Sequence, residues 1–389
     1  MAVERIVNQG ATTTRNPFWR ILFFAPAAIA LILGLVAGLR LLKLFPEDQP
    51  DVYTGVHGPL MVFGFIGTLI ALERAVAIRR WWGYASPAFL GSGGIVLAIG
   101  LNHRAGQLLL TLGLVVFLAV YRVIWQRQHT AATAIQALGA VAALCAVLLW
   151  LGGSGVPQQL PLMVTFLVLT IAGERLELAR AAIKTGLAET LAIWIAGVML
   201  AAAIVPVLAP LAGQPVFGAA LIAQVAWLWR YDIARNTIRG TGITRYMAFC
   251  LLSGYIWLAV SGPIWVGPAS ALSGRFYDAA IHTAFIGFVL SMIMAHAPVI
   301  LPAVLRVSLP YTPLMYGPAA LLQLGLAIRV GLGDFYDIEL AVQIGGTLNV
   351  LAVILFAATV IFAAIRMRRA RASHAQIQPQ SQKVPDAET

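Results

Sequence analysis

Three of the six histidines lie inside long apolar runs, where an ionisable side chain is costly and tends to mark a cofactor, ion or proton site. His57 opens "HGPLMVFGFIGTLIALERAV", and His282 and His296 share "IHTAFIGFVLSMIMAHAPVILP". A neutral imidazole is a ready metal ligand, so two held at one depth on facing helices suit the two axial positions of a haem iron. The plainer reading of each is an interfacial histidine bonded to water or a carbonyl. His103, His129 and His374 lie among polar residues and read as solvated. Cys145 and Cys250 sit apart in apolar runs, which excludes a disulfide framework and a CxxC metal motif.

The elements that position these residues are membrane helices. Of 389 residues, 60 % are hydrophobic and 11 % charged, with a mean hydropathy of +0.86. That is the composition of a polytopic membrane protein. In a soluble protein the net charge of +11 would suggest nucleic acid; here the basic residues gather in short loops and report orientation, so no nucleic-acid partner is expected. The expected fold class is all-α, with about twelve transmembrane helices. They fall at 20–42, 57–78, 87–102, 107–126, 131–151, 160–181, 186–208, 215–231, 244–267, 277–304, 312–332 and 339–365, each near the ~20 residues a bilayer core demands. The third, with its "GSGG" at Gly91 to Gly94, and the boundary at "PLAGQP" between the seventh and eighth are the least defined. The first apolar run reads as a retained helix, not a cleaved signal.

Orientation follows from charge. With the N-terminus inside, only Arg40, Lys43, Arg104, Arg275 and Arg329 fall outside, and the other 21 of the 26 basic residues fall inside. The outer loops "FPEDQPD", "GGSGVPQQ" and "GDFYDIE" are acidic or neutral. The expected layout is a cytoplasmic segment at 1–19, a helical membrane domain at 20–365 and a basic, disordered cytoplasmic tail at 366–389. The expected location is a bacterial cytoplasmic membrane, with both termini cytoplasmic.

This orientation places His57 and His282 near the outer face at matched depth. His296 lies fourteen residues beyond His282, about 21 Å deeper and about 40° from the same helix face. Pro298 and Pro302 free carbonyls near His296, so it reads first as a satisfied buried histidine, and second as a ligand of another metal or haem. Arg329, near the outer end of the eleventh helix, would pair with haem propionates, and Asp278, one turn before His282, would orient that ring. Interfacial snorkelling or a local ion pair explains both equally well.

The chain also echoes itself. Without gaps, "FGFIGTLIALERA" (Phe63 to Ala75) overlays "IGFVLSMIMAHAP" (Ile286 to Pro298), with Glu73 opposite His296. "PLMVTFLVLTIAGERL" in the sixth helix repeats the PLMV and Glu-Arg signature of the second, one residue shorter. Helices 2, 6 and 10 are four apart, so the twelve read as three groups of four. Their glycines serve close packing of a helix or of a flat ligand. Glu73-Arg74 and Glu174-Arg175 are expected to form inter-helix ion pairs near the inner face.

Twelve helices in three fours, with outer histidines on helices 2 and 10, resemble the subunit I fold of haem-copper oxidases and nitric oxide reductases. "HGPLMVFGF" and "IHTAFIGFVLSMIMAHAPVILP" look most like NnrS-type membrane proteins, linked to haem, copper and nitric oxide stress. The resemblance implies that His57 and His282 ligate a low-spin haem b. The oxidases also carry a copper-site histidine on helix 6 and a pair on helix 7, and neither helix has one here. A copper centre, oxygen or nitric oxide reduction at it, and proton pumping are therefore not expected.

Two function classes follow. The leading one is a haem-b-binding integral membrane protein in electron transfer or nitric oxide handling, with a redox protein or a quinol as partner. The rival is a cofactor-free secondary transporter using Glu73, Glu174, Arg175 and His296 as substrate or proton contacts. A weaker third is an accessory subunit of a respiratory complex. Catalysis and oligomeric state are left open by the residues.

Overall fold

The computed structural model describes residues 18–45, 54–180, 186–267, 273–305 and 309–377. All regular structure among them is helical. In chain order the main helices are α1 (Phe18–Leu41), α2 (His57–Ile78), α3 (Ala85–Ala98), α4 (His103–Arg127), α5 (Ala131–Leu151) and α6 (Val156–Ala179), followed by α7 (Gly186–Leu208), α8 (Pro210–Tyr231), α9 (Gly242–Val266), α10 (Arg275–Leu305), α11 (Pro313–Asp334) and α12 (Glu339–Ile377). Among the described residues ten helices, all of these except α3 and α6, are long and apolar enough to cross a membrane. The chain is a multi-pass membrane protein.

Local chemistry explains where the helices depart from the expected bounds. α4 begins at His103 because Asn102 accepts a cap bond from the Ala105 amide at 3.0 Å. α6 and α8 begin at Val156 and Pro210, earlier than expected, because proline is tolerated in a first turn that lacks partners for its amides. α3 has only 14 residues. Its glycines are contact points: a Cβ on Gly94 would lie 2.9 Å from the Gly64 Cα of α2, and one on Gly93 3.1 Å from the Gly106 carbonyl of α4. These glycines serve helix packing. α12 continues past the expected boundary at 366 to Ile377. The rest of the expected tail, most of the N-terminal segment and most of "FPEDQPD" lie outside the described residues.

Successive helices pack side by side from α1 to α12, and α12 returns to α1. Inside this ring stand α2, α6 and α10, which touch one another. α10 packs on both others, and Phe63 of α2 stacks on Phe166 of α6 at 6.3 Å. α6 is buried from Gln159 through Gly173, as an apolar helix must be when protein surrounds it. The outer helices expose Leu22, Trp194, Leu211 and Ile361 on an apolar belt.

The inner helices are not uniformly α. Leu60–Gly67 in α2, Thr283–Leu290 in α10 and Ile328–Asp334 in α11 are wound more widely, with i→i+5 bonding. Such π-turns are rare and gather at functional sites. The gap-free overlay of α2 and α10 places Leu60 on Thr283 and Gly67 on Leu290, so the two stretches coincide.

Candidate functional site

Each wide turn adjoins a polar residue singled out from the sequence. His57 lies three residues before the first, His282 immediately before the second, and Arg329 within the third. All three, with Asp278, line one cavity of about 900 Å3. Its walls come from α1, α2, α10, α11 and α12, with Leu160 added by α6, and most of that lining is apolar.

The two cavity imidazoles are oriented in the same way. His57 Nδ1 donates to the Gly34 carbonyl of α1 at 2.8 Å. His282 Nδ1 donates to the Asp278 carbonyl at 2.8 Å, with Asp278 Oδ1 at 3.2 Å. In this tautomer each Nε2 keeps its lone pair, which is the ligand form of a neutral histidine whose ring is fixed by a bond at the other nitrogen. The seat of His57 depends on α1. Gly38 leaves room for the ring, since a Cβ there would lie 3.2 Å from Cε1.

Asp278 and Arg329 form an ion pair, with Nη2 at 2.7 Å and Nε at 3.2 Å from Oδ2. Arg329 Nη2 also lies 3.4 Å from His282 Nδ1, a contact that brings no hydrogen bond while that nitrogen donates to the carbonyl. The local ion pair of these two residues is therefore present, and Asp278 meets the His282 ring through its backbone carbonyl. At the mouth, Lys43 pairs with Glu339 at 3.0 Å and Arg275 with Asp337 at 3.4 Å, all on exposed side chains.

His296 is elsewhere. It is buried, it does not line the cavity, and its Nδ1 donates to the Met292 carbonyl of its own helix at 2.7 Å. Its Nε2 is buried and has no hydrogen-bond partner among the described residues. Pro298 and Pro302 free the carbonyls of Met294 and Pro298, so His296, bonded to that of Met292, meets neither of the freed ones. Near it lies the charge cluster of the opposite end. Arg74 bonds Glu174 of α6 at 2.7 Å and Glu73 at 3.3 Å, and Arg175 grips Asp232 at 2.6 and 3.1 Å. The inter-helix ion pairs expected of both Glu-Arg motifs are present. His103 and His129 are exposed and rest on Trp150 and Trp125.

Sequence reasoning missed several members of the site. The Gly34 carbonyl and Gly38 form the His57 seat, and their G-x-x-x-G spacing was the available signal. Asp334, within the acidic "GDFYDIE", is buried, lines the cavity and leaves Oδ2 without a partner among the described residues. Asn349 does the same with Oδ1, while its amide donates to the Leu322 carbonyl at 2.8 Å. Among the described residues no group of three or more His, Cys, Asp and Glu is arranged to hold a metal ion.

Residues 20–365 match the family model described as "Domain of unknown function (DUF8744)". The chain belongs to this family. The match covers the ring of helices and every residue of the cavity, so the site lies wholly within the family's domain. No curated protein matches the chain.

Proposed function

We propose that this family member is a haem-b-binding integral membrane protein that carries electrons, with a haem-copper-oxidase-like, NnrS-type arrangement of twelve spans in three groups of four. The carrying observation is the pair His57 and His282: two imidazoles from two helices lining one cavity, each held at Nδ1 by a carbonyl and each leaving Nε2 for a ligand. In the twelve-span reading α3 and α6 cross the bilayer with the ten longer apolar helices, and both termini are cytoplasmic.

The cavity fits such a group on three counts. Its volume of about 900 Å3 falls in the range of cofactor pockets, about 300–1,000 Å3. Its apolar walls suit a macrocycle, and Met61, Ile66 and Phe285 line it beside the imidazoles. Its mouth carries Lys43 and Arg275 in exposed ion pairs, which are weak and readily re-formed with propionates. Arg329 is already paired with Asp278, so it adds to this role without supplying it alone. Bound haem would supply a one-electron couple; His57 and His282 would hold it through Nε2, and the apolar lining would shield it from water. With His57 and His282 both engaged as ligands, electron transfer would fit better than gas chemistry, and a nitric oxide role would require one of them to leave.

The test is a reduced-minus-oxidised visible spectrum of the purified protein, produced with ample haem supply. A b-type signal is expected in the wild type and is lost in His57→Ala and in His282→Ala while folded yield persists. Well-folded protein without haem would overturn the proposal. Haem retained in both variants would overturn the ligand assignment alone. The secondary-transporter reading draws its support from the buried cluster of Glu73, Glu174, Arg175 and His296, and a haem-free wild type would favour it.

A further inference from the structure

The charge cluster at the far end from the cavity does not balance. Arg175 and Asp232 form a closed, buried pair, with side chains 4 % and 1 % exposed. That leaves Arg74 between two carboxylates, Glu73 and Glu174. One guanidinium therefore touches two acids within a bundle of membrane helices, where an uncompensated charge is strongly disfavoured; Arg175 acts on Glu174, and the exposed Glu177 acts on Glu73, Arg74 and Glu174, without an ion-pair contact among the described residues.

The unpartnered atoms nearby show where the compensation acts. His296 Nε2, Arg74 Nε and Tyr121 Oη are buried without hydrogen-bond partners among the described residues. Arg74, Glu174, His296 and Glu177 all act electrostatically on Glu73, and Tyr121 flanks Arg74 from α4. Arg175, Asp232 and Glu73 act on His296. Each inner helix supplies a group that can take up the proton, Glu73 from α2, Glu174 from α6 and His296 from α10. Their exposure falls inward: the side chains of Glu73 and Glu174 are 26 % and 15 % exposed, and His296 is 7 % exposed.

We propose that this centre is a proton-binding site in which one exchangeable proton is shared by Glu73 and Glu174 across Arg74, with His296 Nε2 as the acceptor to which it passes inward. The ligand class is a proton carried by ordered water, since the unpartnered atoms comprise both a donor and acceptors and so can be bridged by water. Uptake begins at the more exposed carboxylate, where the proton adds to a Glu73 oxygen. Transfer to Nε2 gives an imidazolium beside an ionised pair and leaves the total charge unchanged. The site stands whether or not the cavity holds haem.

The test is infrared spectroscopy of the full chain in lipid nanodiscs at neutral pH, in H2O and D2O. The wild type is expected to show the C=O stretch of a protonated carboxylic acid that shifts in D2O. Glu73→Gln and Glu174→Gln should each abolish that band, because one remaining carboxylate balances Arg74 and has no need of a proton. Glu73→Asp should retain it, which separates the charge argument from misfolding. His296→Gln should keep the band and slow its appearance after a pH drop. A wild type without the band, or a band surviving both glutamine variants, overturns the proposal, as does an unchanged rate in His296→Gln.

Discussion

Asp278 accepts from Arg329 at 2.7 Å through one carboxylate oxygen while its backbone carbonyl holds the ring of His282. The ion pair and the imidazole are thus set by one residue, one helical turn before the histidine. Asp278→Ala removes the ion pair and leaves the carbonyl bond. Arg329 is buried, so its unpaired guanidinium is expected to lower stability by about 1–3 kcal/mol. Thermal unfolding of Asp278→Ala, Arg329→Ala and the double variant checks this, with the double costing less than the sum of the singles. Additive losses would show that the pair is not coupled.

Arg175 and Asp232 are more deeply buried, and their contact is two-pronged. Arg175→Ala is expected to cost about 3–5 kcal/mol, because it strands a carboxylate among apolar helices. Replacing both with Met and Leu should recover much of that loss. Recovery will be incomplete, since Asp232 Oδ1 also accepts from the Ala234 amide at 2.6 Å, a local bond whose loss costs about 1 kcal/mol. Denaturation of the single and double variants measures the difference.

The His57 seat gives a more selective test. Gly38→Leu fills the space beside Cε1 and pushes the ring from the Gly34 carbonyl. Overpacking of this kind costs about 1–3 kcal/mol, so folded protein should persist. Haem retention should fall as in His57→Ala, while the Arg74–Glu174 end is untouched. Normal haem content in folded Gly38→Leu would disprove the seat.

How much of this was legible in the sequence depends on the range of the interaction. That His57 and His282 line one cavity could be anticipated because hydrophobic runs fix helix ends, and the contact of Asp278 because it lies four residues before His282 on one helix. The partners of Glu174 and Arg175 could not be read, since Arg74 lies a hundred residues from Glu174, and Asp232 lies beyond two more helices. The Gly34 carbonyl is a backbone atom, and no side-chain pattern announces it. Asp334 looked like a loop carboxylate because burial there comes from the packing of α11 on α12, with Gly333 pressed against Val342.

The wide turns were also invisible, since an apolar run has the same composition whether it winds with four or five residues per bond. They carry a sharp expectation. A π-turn accommodates about one extra residue without changing the phase of the helix on either side. Deleting Ile66, inside Leu60–Gly67, should straighten α2 while His57 and Arg74 keep their facing partners. Helix content and the Arg74–Glu174 pair should survive, whereas the cavity wall built by Met61, Val62 and Ile66 is remodelled and haem retention falls. Deleting Ile70, in the regular turn that follows, rotates one flank against the other by about 100°. That change separates Arg74 from Glu174 and should cost about 3–5 kcal/mol. Circular dichroism and thermal unfolding of the two deletions check the contrast. Equal destabilisation would mean that the wide turn is an ordinary part of the helix and not a built-in adjustment at the cavity wall.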